Sequence, residues 1–107
     1  MTQTAKLKEE LDKLRTAISS RDSQEIIKGI FKQVLEASDK FQLEVDRGFS
    51  EESDFPPEFS LQIDKVRFVQ RNFFQNINSE INYELIEKIC YDLEESYDKL
   101  AEIAGIF

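Results

Sequence analysis

The last quarter of the chain has the clearest pattern of apolar and polar positions. Because an α-helix has 3.6 residues per turn, apolar residues that recur at steps of three and four fall on one side of a helix. The acidic residues between them fall on the other side, so the pattern predicts a long amphipathic helix over residues 79–104. The apolar positions are Ile81, Leu85, Ile86, Ile89, Cys90, Leu93, Tyr97, Leu100, Ile103 and Ala104.

Three further segments show helical spacing. A narrow apolar stripe predicts a first helix over about residues 6–20, a wider one predicts a second over about 23–45, and a heptad-like stripe predicts a third over about 58–76. With short connections, these helices predict a single all-α domain over residues 1–107, an antiparallel up-down four-helix bundle. The alternative is a helical hairpin that completes its bundle by dimerising.

Several residues mark the expected helix ends. Asp22 followed three residues later by Glu25 matches a capping box, so Asp22 is the predicted N-cap of the second helix. Either Ser79 or Asn82 is expected to cap the fourth helix, because both side chains compete for backbone hydrogen bonds. Gly29 lies inside the second helix, and we expect it to allow close approach of a neighbouring helix.

Three apolar residues of the third helix, Leu61, Phe68 and Phe74, lie away from its main stripe. They cannot all reach the same core, so one or more of them should be partly exposed or should pack under the loop. That loop is expected over residues 47–57, where two phenylalanines flank an acidic run.

Charge is unevenly distributed along the chain, which has a formal net charge of −8 at pH 7. Residues 1–40 contain eight Lys or Arg and seven Asp or Glu, a net of +1, whereas residues 41–107 contain six and fifteen, a net of −9. This field repels phosphate groups and anionic lipid, so nucleic acid is excluded as a partner bound by charge attraction and a basic protein is expected. The alternative is that the acidic residues only keep the protein dissolved.

The residue types that run most enzyme reactions are missing. There is no His, and the single Cys90 lies in the apolar stripe, so zinc, di-iron and thiol-imidazole sites are excluded. The sequence therefore predicts a non-enzymatic protein with no metal and no cofactor. A less favoured alternative is an all-helical, magnesium-dependent nucleotide pyrophosphohydrolase, whose E-x-x-D motif Glu95 and Asp98 match. Lys13, however, stands where the preceding E-E-x-x-E motif requires its last carboxylate.

The N-terminal residues lack the apolar segment of a signal peptide, and no stretch approaches the roughly 18 apolar residues of a membrane span. We therefore expect a cytoplasmic protein with no integral membrane segment.

The surface expected to bind a partner combines acidic and aromatic residues. Acidic side chains attract a basic protein and influence partner choice, and aromatic side chains are frequent anchors. Phe74 is a further aromatic candidate, and the two loop phenylalanines have a second interpretation, in which they staple the loop onto the core. The predicted partner-binding residues are Phe49, Glu51, Glu52, Asp54, Phe55, Tyr91, Glu94, Glu95 and Asp98.

The N-terminal half combines an apolar stripe, a charged turn and a second apolar helix. The residues are Leu7, Leu11, Leu14 and Ile18, then Arg21 to Glu25, then the helix from Ile26. In this pattern residues 7–36 resemble the small four-helix immunity proteins that protect producer bacteria from class II bacteriocins. The resemblance implies a bacterial helical bundle that neutralises a toxin. Members of that family are often basic, whereas this chain is acidic.

Two hypotheses about function follow. The first is a non-enzymatic protein-binding bundle, such as an immunity or inhibitor protein, that binds a basic partner through its acidic, aromatic-bearing surface. The second is a structural or assembly module that forms a homodimer through its aromatic-rich third and fourth helices.

Overall fold

The described part of the chain folds into four α-helices. The computed structural model describes residues 3–47 and 57–104, and within those ranges all regular structure is helical. The helices are α1 (Gln3–Ser19), α2 (Gln24–Arg47), α3 (Pro57–Ile77) and α4 (Tyr83–Ala104). The predicted all-α class with four helices is therefore confirmed for this part of the chain. None of these helices combines the length and the apolar character needed to cross a membrane.

Apolar side chains from all four helices form one buried core. α1 packs along α2, α3 packs along α4, and α1 also contacts α4, whereas α2 and α3 touch at few places. Burying each Leu or Ile side chain of this core contributes about 1.5–3 kcal/mol. Leu14 and Ile18 of α1 and Ile86 and Leu93 of α4 are completely enclosed, as their apolar stripes predict.

Aromatic contacts join α2 to α3 and to α4, outside the closely packed α1–α2 and α3–α4 pairs. The rings of Phe31 on α2 and Phe73 on α3 have centroids 4.6 Å apart. Phe41 on α2 meets Tyr97 on α4 edge-on, with centroids 6.2 Å apart. Each such pair contributes about 0.5–1.5 kcal/mol beyond the area it buries, so these rings hold α2 against the α3–α4 pair.

The turn between α1 and α2 contains a left-handed residue that is not glycine. Arg21 has a φ of 56°, and its N–H donates to the Ile18 carbonyl at 3.0 Å while the Asp22 N–H donates to the Ala17 carbonyl at 3.0 Å. These two bonds form a Schellman motif that ends α1. The Arg21 guanidinium also lies 5.2 Å from the ring centroid of Tyr83, within range of a cation–π interaction.

The predicted N-cap of α2 is wrong by one residue. Ser23, not Asp22, caps the helix, because the Ile26 N–H donates to the Ser23 Oγ at 3.4 Å. The Asp22 backbone is already used elsewhere: its N–H closes the Schellman motif, and its carbonyl accepts a 2.7 Å bond from the Tyr83 hydroxyl. The chain therefore enters α2 one residue later than the capping-box pattern predicts.

α4 begins at Tyr83, four residues after the predicted Ser79. Of the two candidate caps, Asn82 is used: its Oδ1 accepts from the Leu85 N–H at 3.2 Å. The Ser79 carbonyl instead accepts a 3.0 Å bond from the Gln24 Nε2. This contact with the start of α2 holds Ser79 in the connection between α3 and α4.

The expected reason for Gly29 is wrong. Apart from the adjacent residues and the backbone of its own helix, no heavy atom of the described residues lies within 4 Å of a Cβ built on Gly29, and the residue is exposed. Gly29 therefore lies on the outer side of α2, away from the other described helices. It lowers the stability of the helix because glycine gives the unfolded backbone more conformational freedom, which folding removes.

We predict that Gly29→Ala stabilises the protein by about 0.5–1 kcal/mol, because alanine restricts the unfolded chain and fits without a clash. Urea unfolding followed by circular dichroism measures the change. Lys32→Gly, at an exposed position one turn along α2, is the reverse control and should destabilise by a similar amount. A loss of stability on Gly29→Ala would contradict the open environment of this residue.

Gln70 spans the gap where α2 and α3 make few contacts. Its Nε2 donates to the Ser38 Oγ on α2 at 3.2 Å and to the Tyr97 hydroxyl on α4 at 2.5 Å, beside a cavity of about 110 Å³. Burial raises the pKa of the Tyr97 hydroxyl, and the bonds to Ser38 and Gln70 oppose that rise. The native state therefore favours the neutral phenol.

We predict that Tyr97→Phe makes the protein less sensitive to alkali. Because the native pKa of Tyr97 is raised, its contribution to stability is complete below the unfolded-state pKa of about 10 and is lost as pH rises through the native value. At neutral pH the variant should lose about 1 kcal/mol with its buried hydrogen bonds. Unfolding free energies from about pH 7 to 11 test this, and parallel curves for the two proteins would refute it.

Candidate protein-binding groove

An open groove runs between α3 and α4. It consists of two adjoining depressions, of about 690 Å³ and 480 Å³, that share Gln62, Lys65, Lys99 and Glu102. Phe68 and Asp92 lie at one end, and Leu61 and Ile103 lie at the other. We call this feature the α3–α4 groove.

A hydrogen bond fixes the floor of the groove. The buried Gln62 of α3 donates from its Nε2 to the Ser96 carbonyl of α4 at 2.9 Å. The Ser96 hydroxyl, also buried, donates to the Leu93 carbonyl within its own helix at 2.7 Å. The amide of Gln62 and the hydroxyl of Ser96 therefore have partners although both residues are buried, and the α3–α4 spacing is set by a polar contact as well as by apolar packing.

The α4 wall of the groove is acidic. Along α4 the chain has seven Asp or Glu residues and two Lys residues, a net charge of −5. Steps of three and four residues place four of the carboxylates in one row along the helix. The four that line the groove are Asp92, Glu95, Asp98 and Glu102. Glu102 has the Lys99 Nζ at 4.0 Å.

The α3 wall carries exposed apolar side chains. Phe68 is 65 % exposed and Leu61 is 71 % exposed, which confirms the expectation that residues away from the main stripe of α3 are partly exposed. They are seven residues apart, so they lie on the same side of α3, and Lys65 lies between them along the helix. Phe74, which also lies away from the stripe, is 52 % exposed but does not line either depression.

All three acidic residues of α1 have cationic partners, whereas three of the four groove carboxylates have none among the described residues. The Lys13 Nζ lies 3.6 Å from Glu9 and 3.2 Å from Glu10, and Lys6 also contacts Glu10 at 3.2 Å. Arg15 pairs with Asp12 at 2.7 Å. In the part of the chain that the structure describes, none of Asp92, Glu95 and Asp98 forms an ion pair.

Glu94 differs from its acidic neighbours because it lies at the α1–α4 contact. Its Oε2 is 3.3 Å from the Arg15 Nη1, and only 20 % of its side chain is exposed. Its Oε1 is buried without a hydrogen-bond partner among the described residues. Burial is the main reason why the pKa of Glu94 is raised; Asp12 and Asp98 add to the rise, and Arg15 opposes it. The Glu94 side chain therefore points toward α1 and does not line the α3–α4 groove.

The other sequence-predicted site residues fall into two groups. Tyr91 is 62 % exposed and lines a shallow depression on the outer side of α4, which shares Asp92 with the groove. Phe49, Glu51, Glu52, Asp54 and Phe55 lie outside the described residues. The structure therefore brings Glu95 and Asp98 together in the groove and places Tyr91 next to it.

Sequence reasoning did not assign Phe68, Leu61, Asp92 and Glu102 to the site. The acidic pair could have been found, because Asp92 and Glu102 share the helical face of Glu95. The apolar pair was recognised as lying away from the core, but its position beside α4 depends on how α3 packs.

Among the described residues the potential metal ligands are dispersed and the one thiol is buried. Among the described residues no group of three or more Cys, Asp and Glu side chains is arranged to hold a metal ion. Glu9 and Glu10 match the first two positions of the E-E-x-x-E motif, and Lys13, which stands at its last position, contacts both of their carboxylates. Cys90 is buried, and that burial raises its pKa to about 12, so the thiol stays protonated at neutral pH.

Comparison with known proteins gives no relative: the chain matches no protein-family model, no curated protein and no solved structure.

We predict that the stabilities of the wild-type protein and Glu94→Gln depend differently on pH. Because the native pKa of Glu94 is raised, its protonated form stabilises the fold below the unfolded-state value, and this contribution is lost as pH rises through the native value. The wild-type unfolding free energy should therefore fall relative to Glu94→Gln as pH rises above the unfolded-state pKa of about 4.3. In Arg15→Gln, which removes the cation opposing the pKa rise, the fall should be larger. Equal slopes in all three proteins would exclude this role of burial.

Proposed function

We propose that the chain is a non-enzymatic protein-binding helical bundle, an immunity or inhibitor protein, that holds a basic partner protein at the α3–α4 groove. The observation that carries this proposal is the set of carboxylates Asp92, Glu95 and Asp98, which have no ion-pair partner among residues 3–47 and 57–104, beside the exposed ring of Phe68. Such a surface combines a negative field, which attracts a basic protein, with an aromatic side chain that gains free energy when it is covered.

The electrostatic part of this surface favours fast and selective association. Unpaired carboxylates at the surface raise the encounter rate with a cationic partner and repel anionic ones, and salt screens the effect over about 10 Å at 0.1 M. The apolar part supplies affinity, because Phe68, Leu61 and the adjacent Tyr91 each expose more than half of their surface. Both contributions come from the same side of the molecule.

We also propose that the four helices run up and down in antiparallel order. Three contacts support this arrangement. The start of α2 contacts the end of α3, because the Gln24 Nε2 donates to the Ile77 carbonyl at 2.6 Å. The Tyr83 hydroxyl at the start of α4 reaches the Asp22 carbonyl just beyond α1, and the Arg15–Glu94 pair joins the same two helices further along.

The proposed immunity role has its support in the resemblance of residues 7–36 to bacteriocin immunity proteins. The apolar residues that carry the resemblance, such as Leu7, Leu11 and Leu14, are buried in the core. They therefore support a shared bundle architecture, while partner choice in this chain depends on the acidic groove, which that segment does not contain.

The second candidate function is a homodimer formed through α3 and α4. It is favoured by the two exposed apolar side chains Leu61 and Phe68, which are seven residues apart, as in a helix–helix seam. The net charge of −5 on α4 opposes it, because two copies would bring like charges together. Sedimentation over a concentration series distinguishes the two: a monomer that binds a partner excludes the dimer as the functional form.

We predict that binding of a partner protein requires the groove carboxylates. The immobilised protein is used to capture partners from a lysate of its host and from the purified products of neighbouring open reading frames. A double variant, Glu95→Lys with Asp98→Lys, should lose the complex, and the wild-type complex should weaken at least tenfold between about 0.05 and 0.5 M salt.

The matched control applies the same charge change elsewhere. Glu36 on α2 and Glu80 between α3 and α4 are both exposed, so the double variant Glu36→Lys with Glu80→Lys should retain the complex. If both double variants bind equally well, the groove is not the binding surface.

A further inference from the structure

We infer that the partner segment held in the α3–α4 groove is a basic amphipathic α-helix with two apolar side chains seven residues apart. This inference rests on the proposed protein-binding function and specifies the chemistry of the segment that is bound. It is argued from the length, the apolar positions and the charge pattern of the groove.

The length of the groove suits a short helix. Between Asp92 at one end and Ile103 at the other, α4 advances eleven residues, or about 16 Å at a rise of 1.5 Å per residue. This corresponds to about three turns of a partner helix lying alongside. Both depressions are open to solvent along this length, so the groove fits a rod-shaped segment and does not enclose a small molecule.

The exposed apolar residues favour a helical ligand over an extended one. Leu61 and Phe68 are separated by seven residues, or about 10.5 Å along α3. A helix packed alongside presents side chains at the same interval, one heptad apart, as in helix-in-groove recognition. An extended peptide would gain less, because in the described residues both walls are helices and offer no strand edge for main-chain hydrogen bonds.

The charges of the groove specify a partner helix with mixed polar positions. Asp92, Glu95 and Glu102 lie along the α4 wall, so Lys or Arg residues at matching helical steps would face them. Lys65 and Lys99 line both depressions near the middle of the groove, and they favour one acidic or polar residue there. A partner helix that fits the groove therefore has basic residues on the side facing α4, two apolar residues facing α3, and a polar or acidic residue at its centre.

Two other occupants are opposed by charge. A second copy of the chain would place its own acidic α4, with a net charge of −5, against this wall. Residues 48–56 of the same chain contain three acidic and no basic residues, so they would meet the same repulsion. A basic helix from another protein is the occupant that complements both the apolar and the charged positions.

The test uses synthetic helical peptides of about fifteen residues, the length of four turns. The probe peptide carries Leu at two positions seven apart, Lys at steps of three and four on one flank, and Glu at its centre. One control peptide has the same composition with the leucines five residues apart, and a second has a central Pro that prevents a helix. Binding is measured by fluorescence anisotropy and mapped by amide chemical shifts of the labelled protein.

The probe should shift amide signals of α3 and α4 around residues 61–69 and 92–103 and bind at least tenfold more tightly than either control. Phe68→Ala and Glu95→Lys should each weaken it at least fivefold. Because both side chains are exposed, these variants should stay folded, which circular dichroism checks. The control variant Glu36→Lys should bind as the wild type does.

Other outcomes separate the inference from the function on which it rests. If the Pro-containing peptide binds as well as the probe while the groove variants abolish both, the groove binds basic peptides but not specifically helices, and the inference fails alone. If no peptide binds and the captured partner is insensitive to Glu95→Lys, both proposals fail. If the amide signals of the groove shift when the protein is concentrated without peptide, a second copy is the occupant. If groove shifts persist at every dilution but vanish when residues 48–56 are replaced by a Gly/Ser linker, that segment is the occupant. Either result overturns the inference.

Discussion

Burial of the apolar stripe of α4 is the constraint on which the rest of the structure depends. Ile86 and Leu93 are completely enclosed, so α4 cannot rotate about its axis without exposing apolar surface to water. This fixed orientation determines where the opposite residues point: Glu95 and Asp98 line the groove with α3, while Glu94 turns toward Arg15 on α1. The core therefore places the carboxylates although none of them belongs to it.

The acidic residues have different consequences on α1 and α4. On α1 the acidic side chains have Lys and Arg within reach, and these exposed pairs add little to stability because water screens them. On α4 seven carboxylates share the helix with two lysines, and among the described residues Asp92, Glu95 and Asp98 form no ion pair. Their mutual repulsion weakens the isolated protein slightly. A cationic partner would remove that repulsion, which links the unusual charge of α4 to the binding role that we propose.

Local patterns located the helices well but their ends less well. The stripes predicted all four helices because burial selects residues at helical spacing, and the exposure of Phe68 followed from its place away from the stripe. The prediction that Asp22 is the N-cap was wrong because both backbone groups of Asp22 have other partners. Its N–H closes the Schellman motif, and its carbonyl accepts a bond from Tyr83, which is distant in sequence. The role given to Gly29 was wrong because helical spacing does not reveal which side of α2 a neighbouring helix covers.

The sequence by itself determined the number of helices, the apolar face of each and the excess of carboxylates on α4, because these follow from residue type and a local period of 3.6. Only the tertiary structure decided that α3 lies along α4, that Gln62 joins them through the Ser96 carbonyl, and that Leu61 and Phe68 border the acidic wall. Neighbouring helices are selected by packing among residues far apart in the chain, and an apolar stripe states only that a helix must be covered, not by which partner.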